Sequence, residues 1–180
     1  MTKIKKYYWL LPLIGGILSI IGIFIPAWYS ITVYDENIWM WGLIEHIFPT
    51  GSVFDFLPTE LLIPGLITTV LIVMSSIAII IITLFIVKGE KIHTNAEKLL
   101  IITGFFELCS AIIYIVAIDI MFYSYTQSIG YPEHDFWRVY NFHFGMITPF
   151  IGAALSIVGA IIGVLNKREM NKINSKSFEA

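Results

Sequence analysis

The chain is short of charge and nearly free of cysteine. Only 13% of its 180 residues are charged, about half the share found in soluble domains, so there is too little polar surface to cover the molecule in water. The one cysteine, Cys109, can form no intrachain disulfide and belongs to no Cys-x-x-Cys pair for redox or zinc chemistry. A formal net charge of −2 lacks the basic footprint that nucleic acid demands. Also missing are a Ser-His-Asp order, a glycine-rich phosphate loop and a His-Glu-x-x-His pair. No residue set speaks for an enzyme, a cofactor or a resident metal.

What is there is apolar. Hydrophobic residues make up 57% of the chain and the mean hydropathy is +0.81. Four stretches, at about 8–26, 61–87, 99–125 and 144–165, reach the ~20 residues of a spanning helix. The expected fold class is all-α: a four-helix transmembrane bundle, one four-span domain over 1–180, with the lipid bilayer as its surroundings. The first stretch follows Lys3, Lys5 and Lys6, as in a signal peptide. It has no small-x-small cleavage site near Pro26-Ala27-Trp28-Tyr29 and reads as a retained helix.

Basic residues set the orientation. Lys3, Lys5 and Lys6 precede the first span, Lys88, Lys91 and Lys98 flank the loop at 89–97, and Lys167, Arg168, Lys172 and Lys176 lie in the tail at 166–180. Ten of the eleven Lys and Arg thus fall on one side, with Arg138 alone opposite. The positive-inside rule puts the ten, and both termini, in the cytoplasm of a cell-membrane protein. The outer segments, 27–60 and 126–143, carry acids: Asp35, Glu36, Glu45, Asp55 and Glu60, then Glu133 and Asp135. The tail reads as polar and disordered.

The first outer segment is rich in β-formers. Trp28 to Tyr34 and Ile38 to Ile44 flank Asp35-Glu36-Asn37 and predict a hairpin turning at that triplet. Period two puts Trp28, Ser30, Thr32 and Tyr34 on one face; the other, with Tyr29, Ile31 and Val33, is the more apolar and is expected inward. Pro49-Thr50-Gly51-Ser52 signals a further turn, and Thr59 with Glu60 a helix start. Trp28, Tyr29, Trp39, Trp41, Phe54 and Phe56 suit an outer membrane interface.

Inside the bilayer, small residues recur at helical spacing: Gly15, Ser19 and Gly22 on the first helix; Gly145, Gly152, Ser156, Gly159 and Gly163 on the fourth. Close backbone approach across such stripes predicts a tight antiparallel pair. Thr69, Ser76 and Thr83 form a polar seam on the second helix.

The first helix ends Gly22-Ile23-Phe24-Ile25-Pro26-Ala27-Trp28, Gly42-Leu43-Ile44 follows in the outer segment, and the fourth helix carries Phe144-Gly145 and 151–160. This pattern resembles the claudin and peripheral-myelin-protein superfamily of tetraspan membrane proteins. Trp28 matches the family's Trp after the first helix, and Gly42-Leu43 the first two residues of its Gly-Leu-Trp. Ile44 stands where the Trp would be, Ile47 where the first loop cysteine is expected, and the tail does not end in the aromatic-valine pair of many claudins. The resemblance implies a small extracellular sheet. It also implies a structural, adhesion or membrane-organising role through the outer loops, against a second copy, another membrane protein or the outer leaflet.

Glu107 points to a different class. It sits about 13 Å into the third span, where an ionised side chain costs about 3 kcal/mol unless paired, and no Lys or Arg lies in any span. It is a candidate proton or cation site for a small transporter, channel subunit or membrane sensor. Its structural alternative is a neutral acid hydrogen-bonding between helices. Ser110 and Tyr114 share its face, with Gly16, Ser76 and Ser156 near its level, and Cys109 is expected buried beside it. Asp119 reads as an interfacial acid. Glu45-His46, Glu133-His134-Asp135 and His143 lack a ligand spacing on one element.

Overall fold

A computed structural model describes residues 7–31, 35–88, 95–130 and 136–178. The elements run α1 (Leu10–Ile23), β1 (Trp28–Ile31), β2 (Asp35–Ile38), β3 (Leu43–Phe48), β4 (Gly51–Phe56), α2 (Thr59–Lys88), α3 (Ala96–Ser128), α4 (Phe136–Val139), β5 (Asn141–Phe142) and α5 (Phe144–Phe178). Three helices are long and apolar enough to cross a membrane: α2 with 30 residues, α3 with 33 and the 26 residues Phe144–Glu169 of α5. Regular α1 has 14 residues, about 21 Å at 1.5 Å per residue, against a hydrocarbon core of ~30 Å. The first expected span is therefore a shorter helix. Tight turns extend it: Leu10 N–H bonds Tyr7 O at 3.0 Å, and Phe24 and Ile25 N–H bond Ile21 and Gly22 O at 3.0 and 3.1 Å.

The long helices form a ring in which α1 packs on α5 and α2, and α3 on α2 and α5. Small residues bring α1 and α5 together. A β-carbon at Gly15 would meet Gly152 O, one at Gly22 the Thr148 side chain, one at Gly159 the Pro12 ring, and one at Gly163 the Tyr8 ring. The order of these pairs makes the helices antiparallel. Ser19 and Ser156 lie fully buried in the same seam, their hydroxyls bonding Gly15 O and Gly152 O of their own helices. On α2, Ser76 and Thr83 are buried and Thr69 is partly so.

Five strands form one antiparallel sheet in the order β4-β3-β2-β1-β5. The segment 27–60 supplies four of them and 126–143 supplies β5, so both fold as one layer over one end of the helices. The expected hairpin is present with a different turn. Asp35–Asn37 lie inside β2, with Ile31 opposite Asp35, so the connection falls at 32–34, outside the described residues. Trp39–Gly42 is a turn rather than strand: Trp39 N–H bonds Leu43 O and Gly42 N–H bonds Trp39 O, both at 2.9 Å. The turn at Pro49 and Thr50 joins β3 to β4 as the sequence suggests.

Two further expectations are corrected at the other end. The tail does not leave the helix after 165; α5 continues to Phe178, since no Pro or Gly follows Gly163 to stop it. Glu97, read as loop, is buried in the first turn of α3. It accepts the Tyr8 hydroxyl at 3.2 Å and pairs with Lys167 at 2.6 Å. This ties α1, α3 and α5 together at the end away from the sheet.

Candidate functional site

Glu107 is fully buried. It lies on the α3 face that carries Ser110, Tyr114 and Ala111, all buried with it. Ser19 of α1 and Ser76 of α2 face its carboxyl, and a β-carbon at Gly152 of α5 would stand 3.3 Å from Oε1. Four helices thus meet at one acid. Neither carboxyl oxygen has a partner at hydrogen-bonding distance and angle, and neither does Ser76 Oγ; the serines approach without closing the bonds. Of the groups expected at this level, Ser76 faces the acid. Gly16 instead meets Ser76 O and Ile80, while Ser156 packs against Gly15 and Gly104. Cys109 is exposed, not buried beside Glu107, because two residues along a helix turn a side chain about 200° away.

At the sheet end of the bundle, Trp28 is the anchor. It is fully buried, its indole N–H donating to the Tyr114 hydroxyl at 3.3 Å. Its ring meets Phe136, Trp137 and Phe142 with centroids 5.0–5.4 Å away, an edge-and-tilt geometry that aromatic pairs favour. The inward face of β1 is therefore Trp28 and Ser30, both buried, and not the face of Tyr29. The apolar count along the strand favoured the wrong side because the partners come from α3, α4 and β5. For the same reason Trp28 is no interface residue.

Trp39 and Trp41 have another role. Their indole N–H groups donate to Phe24 O and Ile23 O, each at 3.1 Å, so they satisfy carbonyls left open at the end of α1. Gly42 has φ +96°, and a side chain there would strike Leu62 of α2. Leu43 opens β3 opposite Phe56. Around the two indoles lie exposed aromatics: Phe24, 75% exposed, with Phe54 against Trp39 and Phe56 against Trp41. Level with the end of α1, this patch has the composition of a membrane-interface belt.

Facing the helices, the sheet carries two rows set by register. Trp28, Ile38 and Ile44 are cross-strand neighbours, and so are Ser30, Glu36 and His46. In the second row His46 Nδ1 lies 2.9 Å from Glu36 Oε1, and the Tyr140 hydroxyl donates to Glu36 Oε2 at 2.8 Å. Burial first, then the charge of Glu36 and its hydrogen bond, push the Tyr140 phenol above its ordinary range, so it stays a donor. Sequence reading named Glu36 as an outer acid and part of a turn triplet and did not single out Tyr140; their meeting depends on a contact across 104 residues. Asp119 is half-buried on α3 beside Trp137 and Phe142. Glu133–Asp135 lie outside the described residues, and among the described ones no three His, Cys, Asp or Glu side chains converge as a metal site would need.

No protein-family model matches the chain, and comparison with curated proteins yields no match.

Proposed function

We propose that the chain is a claudin-like, four-span membrane protein with a structural, adhesion or membrane-organising role, acting through its outer sheet. The observation that carries this reading is the sheet itself. Both outer segments build it, Trp28 locks it to the bundle, and β4 leaves it as an open edge with Val53, Phe54 and Phe56 more than half exposed. An unpaired apolar edge is a surface for association. Reconstitution in two vesicle populations carrying different dyes tests it. The native chain is expected to cluster within one membrane or tether the two. A Val53→Ser, Phe54→Ser, Phe56→Ser variant is expected to do neither. Equal behaviour of the two proteins would remove the reading.

Four spans are part of the proposal. α1 is short, yet its segment accompanies α5 from Gly145, which meets Ile25 O and Pro26 O, to Gly163, which meets Tyr8. Those 18 steps of α5 measure about 27 Å, close to the ~30 Å of a hydrocarbon core. With its terminal turns, the first segment runs beside about 27 Å of a neighbour that is itself long enough to span.

A second reading rests on Glu107. A buried acid whose oxygens lack partners, where four helices meet, is the form that intramembrane proton or cation sites take. Proteoliposomes with a pH-sensitive dye inside test it: an imposed gradient should collapse faster with the native chain than with Glu107→Gln. Identical decay would leave Glu107 as a packing acid.

A further inference from the structure

The helix-facing side of the sheet and the outer ends of α2 and α3 enclose a cavity of about 210 Å³. Most of its wall is apolar: Ile38 and Ile44 from the sheet, Leu57 and Leu61 at the entry to α2, Ile118 and Phe122 from α3. The exception is the row of Glu36 and His46 with Tyr140. An apolar space with a few convergent polar groups is the usual form of a small-molecule site, and this one lies below the ~300 Å³ of drug-sized pockets. It suits a single ring or the end of one aliphatic chain.

The polar wall has a definite sense. Toward a carboxylate, His46 Nδ1 must donate, which leaves Nε2 of the neutral ring as an acceptor. The Tyr140 proton is committed to Glu36, whose two oxygens each keep a further lone pair. This row therefore offers acceptors and no uncommitted proton; Tyr125, with its own hydroxyl, also lines the cavity and is not part of the row. The same face continues into β4, where Asp55 stands opposite Ile44 and Val53 opposite His46. Both residues are exposed, so the roof is uncovered along that edge, and the group there is again a carboxylate. Level with the outer ends of the helices, such an opening faces the region where lipid headgroups give way to chains.

We propose that this cavity binds a membrane amphiphile with a hydrogen-bond-donating head, an aliphatic alcohol or amine. The chain end lies among Ile38, Leu61, Ile118 and Phe122, and the head donates to His46 and Glu36. At the Glu36–His46 row a carboxylate or phosphate head meets only acceptors and is disfavoured. This assignment stands independently of the adhesive reading, since β4 can associate with the cavity empty or filled.

Trp28 lines the cavity, which supplies the probe. The full chain in lipid nanodiscs, at a pH above the ordinary histidine value of about 6.5, is titrated with bromine-tipped eight-carbon alcohol, amine and carboxylate while tryptophan quenching is read. The alcohol or the amine is expected to quench saturably, with the carboxylate at least about tenfold weaker because acceptors then face acceptors. Saturation by the alcohol alone assigns a neutral head, by the amine alone a cationic one. Glu36→Gln combined with His46→Phe should erase the preference among heads. Leu57→Phe and Ile118→Phe, which fill the cavity, should abolish saturation; Leu57 lies outside the helices, so its variant keeps the test open where the other fails to fold. Quenching that rises linearly for every probe, equal affinity for the carboxylate, or saturation unchanged in both filled variants overturns the proposal.

Discussion

Trp28 joins four elements of the molecule. It sits in β1, bonds Tyr114 of α3 and packs on Phe136 of α4 and Phe142 of β5. Trimming a buried Trp to Ala typically costs about 3–5 kcal/mol, and here the loss falls on the joint between sheet and bundle. Trp28→Ala should therefore speed amide hydrogen exchange across Tyr29–Phe48 while exchange within α2 and α3 stays slow. Trp28→Phe keeps ring contacts but loses the bond to Tyr114, and should have an intermediate effect. Uniform acceleration over the whole chain would mean that the sheet and bundle unfold together. At the same scale, Gly152 has a counterpart in Ile151, which is 44% exposed and points away from the seam. Gly152→Leu drives a branched side chain into Ser19 and the Gly15 carbonyl, an overpacking that costs about 1–3 kcal/mol or more. Ile151→Leu should be close to neutral. The comparison is read as the detergent or denaturant midpoint of unfolding, and equal midpoints would show that the small-residue seam carries no packing energy.

Among the elements, α1 and the sheet depend on each other. α1 is the shortest of the apolar helices, and two of its last carbonyls find their donors in Trp39 and Trp41 of the β2–β3 turn. Each such bond contributes about 0.5–1.5 kcal/mol, and a buried carbonyl left open costs more than the bond gained. Trp39→Phe with Trp41→Phe keeps the rings and removes both donors. It should raise exchange at Phe24 and Ile25 and lower the unfolding midpoint, whereas either change alone should have roughly half the effect. No change in the double variant would assign the indoles to membrane contact alone. This dependence explains what the sequence made legible. The small-residue stripes, three long apolar helices and the presence of strands after Trp28 follow from local periodicity, whereas the first helix is shorter and the last longer than expected. The turn was misread because a polar triplet usually marks one; here Glu36 and Asn37 are polar because they bond His46 and Glu45 across β3. The inward face of β1, the burial of Glu97 and the Glu36–Tyr140 contact all depend on partners tens of residues away, which no local pattern reports. Glu107 was legible as an oddity because a charge inside an apolar run needs no partner to be noticed.

For the whole molecule, what decides among the readings is which end faces outward and whether the first segment crosses. The sheet and the acids Asp35, Glu36, Glu45 and Asp55 lie at one end of the bundle, and Lys88 and Lys167 at the other. The positive-inside rule predicts the lysine end in the cytoplasm. It also predicts an even number of crossings, because the chain before α1 and the C-terminal part of α5 both carry lysines. If α1 instead lay flat on the membrane, the residues before it would share the side of the sheet. Lys3, Lys5 and Lys6 would then stand outside, against the rule. Single cysteines placed in a Cys109→Ser background separate these cases with an impermeant thiol reagent on intact cells. Cysteines at Ser52, in β4, and at Gln127, near the end of α3, should be labelled. Cysteines at Thr2, Thr94 and Ser175 should label only after permeabilisation. Labelling at Thr2 with protection at Thr94 and Ser175 would reduce the molecule to three crossings and make α1 a surface helix. Its glycine seam with α5 would then have to form outside the hydrocarbon, where close backbone approach loses its advantage over ordinary apolar packing. Labelling at Thr94 from outside would invert or break the arrangement, and with it every function placed on the outer sheet.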